Sequence, residues 1–517
     1  MSTPPLESAD DATATTIVAE PAHAGQFLGH PRGLGTLFFT EMWERFSYYG
    51  MRALLILFMT AAAARGGLGL DADRAGAVYG LYTAGSYLCS LPGGWLADRL
   101  LGQRASVFWG GVLIALGNLV LALPLRPELF YVGLTVIAIG TGMLKPNASC
   151  LVGELYKGES GSRRDSAFSI YYLGINVGAF IAPLVAGTIG ETRGYRWGFL
   201  AASIGMTFGV IQYCFTGHWL GNAGLAPRTA SDQERRRSRR LLLGGVVLLV
   251  AVVVAAASGA LHLDVLELAD AAGILMGALA VLFFGGVLGF GGLSAVEKKR
   301  VAVIAVFFLS SALFWAGYEQ AGSSLNLFAL DHTDRSFLGS WFASGQHPAT
   351  WYQSFQAIFI LIFAPVFAWV WLALGRRNRD PSAPAKFGWG LVQLGLSFFV
   401  MMAAAGLVYT TGHRVLPGWL IATYLLQTTG ELCLSPIGLS NVTKLAPERF
   451  AGQMMGTWFL GTAVGDLAAG LIGGEVASGS LAEMSTQFLH MALLGCGAGL
   501  VMLLLARPLR AWMGGVR

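Results

Sequence analysis

A chain of 517 residues with 55% hydrophobic and 12% charged residues holds about half the charge usual in a soluble protein, where about 25% is typical. With a mean hydropathy of +0.60, that composition excludes a soluble globular domain and describes a polytopic membrane protein. The net charge of +5 is no nucleic-acid signal, because the basic residues gather in loops on one side, and the five cysteines show no metal or disulfide spacing.

Residues 1–30 hold Glu7, Asp10, Asp11 and Glu20 without an apolar stretch, so they are expected to be a cytoplasmic tail and not a signal peptide. Windows of about 20 apolar residues then predict fourteen spans, at 35–64, 76–97, 105–124, 129–152, 165–190, 197–219, 240–259, 265–291, 301–330, 350–375, 387–410, 416–445, 450–476 and 485–507. An even number places both termini on one side. With the N-terminus inside, the inner connections hold 24 basic residues and the outer ones seven, Arg126 among them; Arg45, Arg52 and Lys145 lie within the membrane. That positive-inside bias predicts cytoplasmic termini.

The first span contains Glu41, Glu44, Arg45, Tyr48, Tyr49 and Arg52, at i, i+3, i+4, i+7, i+8 and i+11. At roughly 100° per residue these six side chains share one face about 140° wide. Each charge at mid-membrane costs roughly 2.5–3.5 kcal/mol on insertion scales, so an aligned set of four predicts a water-filled path more readily than an ion-paired seam between helices. Span two ends in Gly94-Trp-Leu-Ala-Asp98-Arg99-Leu-Leu-Gly102-Gln-Arg104, whose small residues allow close helix approach and whose charges can cap neighbouring helix ends. Span four ends in Gly140-Thr-Gly-Met-Leu-Lys145-Pro146-Asn147, and span five carries Tyr171-Tyr172-Leu-Gly-Ile175-Asn176-Val-Gly178. Lys145 could snorkel to the interface, and Asn176 is as open to a packing role as to a ligand role.

The linker 221–240 is rich in arginine, Arg228 and Arg235 included, and the segment after it is built of Leu, Val, Ala and Gly with Asp264, Glu267 and Asp270 near its turn. Neither of its helices shows an aligned polar face. The prediction is a two-helix hairpin, 241–295, inserted between six-helix bundles at 31–220 and 296–510, with a tail at 511–517. In the second bundle Glu319 follows Phe314-Trp315-Ala-Gly-Tyr318, and Glu431 is a lone acid in an apolar span about one turn before Pro436. Burial and a nearby cation would act on Glu431 in opposite senses.

The pattern G-x-L-A-D-R-x-x-G-x-R resembles the loop motif of the major facilitator superfamily, which implies two six-helix bundles rocking about a central site. With Glu41-x-x-Glu44-Arg45, the lysine-proline-asparagine turn and Tyr-Tyr-x-x-Ile-Asn-x-Gly, the chain from about residue 28 to 510 resembles a bacterial proton-dependent oligopeptide transporter, in which the extra hairpin is typical. Pro384-Ala-Lys386-Phe387, Gly430-Glu431-Leu-Cys-Leu-Ser435-Pro436 and Trp458-Phe459 agree with it.

The resemblance implies uptake of di- and tripeptides with protons as the coupling ion, no other cofactor, and peptidomimetic drugs as further cargo. It implies a protein working as a monomer in the bacterial inner membrane, without nucleic-acid partners. Arg45 and Lys145 would lie by the peptide carboxylate, Asn176 and Glu431 at its amino end, and Tyr48, Tyr49, Tyr87, Trp315 and Trp458 along the side-chain pockets. Ser435 and Gln356 would join the substrate set. Arg52 with Glu319, and Lys145 with Glu431, would be the outer and inner gating pairs. Glu41, Glu44, Arg45 and Glu319 would couple protons to transport.

Three features depart from the family pattern. Gln356-Ala357 stands where many members have Asn-Pro, spans two and nine hold no histidine, and Tyr318 precedes Glu319 where some relatives have a second acid. Proton carriage is therefore expected to fall on carboxylates. A nucleotide-driven pump is disfavoured by the lack of a P-loop pattern, an enzyme by the lack of a nucleophile-base or metal-spaced cluster, and a sensor by short loops. A family member with another substrate, or a proton-driven exporter, would lack the acid triplet or the peptide-end residues.

Overall fold

A computed structural model of the protein describes residues 26–124, 127–157, 159, 161–227, 231–257 and 264–515. Most of the expected N-terminal tail, together with Arg126, Arg228 and Arg517, lies outside the described residues.

The N-terminal half comprises α1 (Arg32–Thr60), α2 (Ala72–Leu88) with α3 (Ser90–Leu96), α4 (Gln103–Ala122), α5 (Pro127–Leu155), α6 (Gly161–Ala182) with α7 (Thr188–Arg193), and α8 (Tyr195–Thr216). The hairpin is α9 (Asp232–Ala257) and α10 (Val265–Phe290). In the C-terminal half α11 (Ala295–Tyr318) runs through the tight turn Glu319–Gly322 into α12 (Ser324–Asp331). Next come α13 (Ser354–Arg376), α14 (Ala383–Thr411), α15 (Gly418–Leu445), α16 (Ala451–Ser478), α17 (Leu481–Leu504) and a short α18 (Ala506–Trp512). With the broken pairs α2–α3, α6–α7 and α11–α12 each taken as one crossing, each of the fourteen predicted spans has its helix among the described residues. Ten helical segments among the described residues are long and apolar enough to cross a membrane by length and composition. The first span is as long as the others and instead carries the charged face.

The helices begin and end where local chemistry dictates. Ser294 and Ser480 open α11 and α17 with reciprocal capping boxes to Glu297 and Glu483. α9 begins at Asp232, inside the segment expected to be linker, so that Arg235 to Arg240 extend the helix. The loop motif after span two forms a π-type turn, Ala97–Leu101, stopped by Gly102 at φ +79°, a backbone conformation that disfavours any side chain. Arg104 then donates to the carbonyls of Ala223 and Gly221, at 2.6 Å each, fastening this loop to the end of the bundle. A short antiparallel pair, β1 (Gln26–Phe27) and β2 (His30–Pro31), crosses the start of α1, and His30 Nδ1 hydrogen-bonds the Tyr156 hydroxyl at 2.7 Å.

Each half has its own apolar core, one built on Leu54, Phe58, Phe199 and Met206, the other on Phe307, Phe387, Phe398 and Phe488. A smaller cluster of Ala77, Ala84, Ala269, Met276, Ala463 and Leu467 joins α2, α10 and α16, so the hairpin leans on the seam between the halves. Glycines make that seam. A Cβ on Gly76 would sit 2.4 Å from the Gly470 carbonyl oxygen, and one on Gly80 2.7 Å from that of Leu467.

The polar bonds across the halves gather at one end, where α1 finishes. Asn326 Nδ2 donates to the Ala53 carbonyl at 2.7 Å, Trp351 Nε1 to Thr188 Oγ1 at 2.7 Å, and Ser478 Oγ to Asp73 at 2.8 Å. Glu191 of α7 accepts from the backbone amides of Ala349 and Thr350, both at 2.9 Å, and from Thr350 Oγ1 at 2.8 Å, with Arg335 at 3.6 Å. Burial holds the neighbouring His347 below the ordinary imidazole value, which keeps further positive charge away from Arg335. One carboxylate thus clamps four groups of the other half. Replacing Glu191 with alanine is expected to widen this end: the distance between nitroxides at the exposed Ala64 and Glu475, read by pulsed electron resonance, should gain a longer population. An unchanged distribution would show that the clamp is not needed for closure.

Candidate functional site

The charged face of α1 turns inward between the halves, and all four of its charges are buried. Arg45 donates through Nε to Glu41 Oε1 at 2.8 Å and holds Glu44 Oε2 at 3.0 Å. Tyr171 of α6 donates to the other Glu41 oxygen at 2.6 Å. Glu41 is therefore fixed on both sides. Glu44 has the Arg45 charge but neither of its oxygens accepts a well-directed hydrogen bond. The two acids of one motif are consequently inequivalent: Glu41 positions the guanidinium, and Glu44 is the one free to change partner.

Lys145 of α5 packs its ammonium 3.9 Å from the centre of the Tyr87 ring and lies within electrostatic reach of Arg45, Glu44 and Glu41. Two cations and two carboxylates thus share the site, and among the described residues Lys145, unlike Arg45, has no direct ion pair with either acid. Tyr48 stands over Arg45, 5.9 Å from ring centre to guanidinium, and is stacked on Tyr82.

At the closed end Arg52 pairs with Glu319 at 3.0 Å, and its side chain is only 1% exposed. Tyr79 of α2 accepts from Arg52 Nε at 2.7 Å and reaches both the carboxylate and the carbonyl of Glu319 at 3.3 Å. The break between α11 and α12 leaves Gly322 directly under this phenol: a Cβ there would lie 2.1 Å from the Tyr79 hydroxyl. Tyr49 faces Arg52 from the cavity side, at 5.4 Å.

In the other half Glu431 of α15 lies beside Tyr318, and its Oε2 has no partner. Lys145 and Glu431 form no ion pair in this conformation. Buried and unpartnered polar atoms recur here: Gln356 Nε2, Ser435 Oγ and Trp315 Nε1 all lack a hydrogen bond. Such groups are costly unless something completes them. Asn176 donates to the Tyr172 carbonyl of its own helix at 2.9 Å, which leaves its amide oxygen as the available group. Trp458 is buried against Gly438 and stands edge-on to Phe387.

The structure therefore brings Glu41, Glu44, Arg45, Tyr48, Tyr49, Tyr87 and Lys145 together, pairs Arg52 with Glu319, and sets Glu431 near Tyr318. Tyr79, Glu191 and Asp466 are not among the residues expected from the sequence, and neither is the bond from Tyr171 to Glu41. Tyr79, Tyr82 and Ser86, at i, i+3 and i+7 on α2, repeat the helical stripe that marks α1, and that spacing was the available signal. Asp466 is a lone acid in an apolar span, as Glu431 is.

Comparison with known proteins shows the family of the chain. Residues 104–487 match the model of the POT family. The chain is 40% identical over 500 residues to the peptide transporter YePEPT of Yersinia enterocolitica subsp. palearctica, covering 94% of this chain and 96% of that one. It is 37% identical over 501 residues to a di-/tripeptide transporter of Lactococcus lactis subsp. cremoris, covering 95% and 98%. A crystal structure of a peptide transporter POT in complex with sulfate superposes with a TM-score of 0.87 at 38% identity, over 95% of this chain and 97% of that one. By sequence over most of its length and by its two bundles and hairpin, the chain belongs to the POT family, a family of membrane transporters and not of enzymes.

Proposed function

We propose that this protein is a proton-coupled symporter that carries di- and tripeptides, and peptidomimetics with the same charged ends, across the bacterial inner membrane into the cytoplasm. It works as a monomer in the bilayer, with both termini cytoplasmic and protons as its only coupling ion. The observation that carries the reading is the unequal grip on Arg45: one acid locked, one loosely held, and Lys145 beside them without a carboxylate of its own.

A peptide carboxylate entering this site competes with Glu44 for the guanidinium, and Glu44 released from Arg45 takes a proton. The peptide ammonium is met by Glu431 with the Asn176 oxygen, and the walls between are aromatic: Tyr48, Tyr49, Tyr87, Trp315 and Trp458. Gln356 and Ser435 complete the polar lining. The Arg52–Glu319 pair holds the outer end shut, and protonating Glu319 removes one charge of a buried pair and lets the halves part. Lys145 with Glu431 closes the inner end when the outer one opens. With the first pair made and the second unmade, the conformation described here is the inward-facing one.

The test is uptake of labelled dialanine into liposomes holding the purified protein, under an inward proton gradient and potential. Accumulation is expected, and dialanine amide should compete at least tenfold more weakly than dialanine. Hydrogen bonds to a charged group contribute about 1.5–3 kcal/mol, and the amide forfeits them at Arg45 and Lys145. Equal competition by the two would remove the carboxylate site from this reading, and absence of gradient-driven uptake would remove proton coupling.

A further inference from the structure

Asp466 of α16 is 1% exposed, and neither carboxylate oxygen has a hydrogen-bond partner. Among the described ion pairs, none includes it. It sits between Gly465, which packs on Trp315, and Leu467, whose carbonyl abuts Gly80 of α2. It is therefore in the glycine seam where the two halves touch. The charges that act on it are Glu319 first, then Arg52 and Lys145, and the phenols of Tyr79 and Tyr87 on α2 feel it in turn. On α10, the third helix of this seam, Glu267 and Asp270 are exposed and face away. Asp466 thus lies between the outer gating pair and the lysine of the cavity, in a place that neither of them neutralises by contact.

A carboxylate so deeply buried and without a partner is costly to keep as an ion. Separation of α2 from α16, whose backbones meet at Gly80 and Leu467 beside it, would bring water to this carboxylate. We propose that Asp466 is a second proton-carrying site of this transporter. It takes a proton from outside water when the seam is open, forming one O–H bond at a carboxylate oxygen. It keeps that proton through closure and loses it to water of the inner cavity, on the side of Tyr87 and Lys145. No other reactant enters the step. This inference rests on the proton-coupled reading, with Glu319 and Glu44 carrying their own share.

Two measurements on wild type and Asp466→Asn test it; asparagine keeps the volume and loses the acid. The first is the infrared carbonyl band of protonated aspartate in purified protein labelled with carbon-13 aspartate, recorded as a function of pH. The expected band titrates in the wild type and is missing from the variant. A wild type without such a band, or a variant that keeps it, overturns the assignment whatever the transport assays show. The second is the membrane potential at which net dialanine flux reverses in liposomes, which gives the protons moved per peptide. That number is expected to fall by one in Asp466→Asn while counterflow exchange of peptide for peptide continues. An unchanged number overturns the role in transport, and a merely structural aspartate predicts that result. If wild-type flux ignores the proton gradient, the symport reading fails, while the band still decides whether Asp466 binds a proton.

Discussion

Glu319→Gln is expected to abolish gradient-driven accumulation of dialanine and to leave peptide counterflow running. Glu319→Gln keeps the shape of the side chain and its reach to Tyr79, but it cannot alternate between charged and neutral forms. Arg52 stays buried beside it, 1% exposed and without a counter-charge. Removing one partner of a buried pair costs about 3–5 kcal/mol, roughly two to four powers of ten in the balance between closed and open outer ends. Part of that loss is recovered through the Tyr79 bond at 2.7 Å, so the closed state survives as a minority able to exchange substrate. The assay is paired: uptake under an inward proton gradient, and counterflow without one. Wild-type accumulation in the variant would show that Glu319 is a packing residue only. Loss of both activities would instead make the pair indispensable for any turnover.

Valine at position 76 is expected to stop transport of both kinds, by more than tenfold, with insertion and folding intact. The added Cβ would meet the Gly470 carbonyl oxygen at 2.4 Å and the Gly474 Cα at 2.7 Å, and both belong to backbone that cannot swing aside. α2 and α16 must then stand apart, and the Arg52–Glu319 and Tyr79 contacts that depend on their approach are not made. Each half keeps its own core, so the fold does not depend on the seam. Nitroxides at Ala64 and Glu475, with the exposed native Cys150 and Cys214 first changed to serine, should report a longer separation at this end in Gly76→Val than in the wild type. A wild-type distance with normal uptake would mean that the seam has slack the structure does not show.

These two expectations rest on different kinds of information. Glu319 stands out as a single acid after Phe314-Trp315 in an apolar run, so its importance is legible along the chain. Gly76 is one of 70 glycines. Nothing in its neighbours distinguishes it from Gly244 or Gly277, which face open space. Only the approach of a helix almost four hundred residues away makes a hydrogen atom there necessary.

The candidate site divides in the same way. The stripe Glu41, Glu44, Arg45, Tyr48, Tyr49 and Arg52 follows from helical spacing alone, because residues on one helix keep their relation wherever the helix packs. The break in span nine is not placed by the window of apolar residues, although Glu319-Gln320-Ala-Gly322-Ser-Ser interrupts the run 301–330; the tight turn Glu319–Gly322 forms where Tyr79 presses on Gly322. Tyr171 stands in the span-five motif, but that it donates to Glu41, and so makes Glu41 and Glu44 inequivalent, depends on how α6 lies against α1.

By itself the sequence determined the membrane class, the fourteen helical spans and their order, and the charged residues that had to face one another across a polar path. Composition and periodicity are local, and they set those features whatever the packing. The tertiary structure alone decided which charges pair: Arg52 with Glu319 and Tyr79, Glu41 with Tyr171, Lys145 on Tyr87 and apart from Glu431, and Asp466 with no partner. It also decided that the bonds between the halves gather where α1 finishes. Both are relations between helices far apart in the chain, and their energies arise only when two buried surfaces meet and water leaves between them.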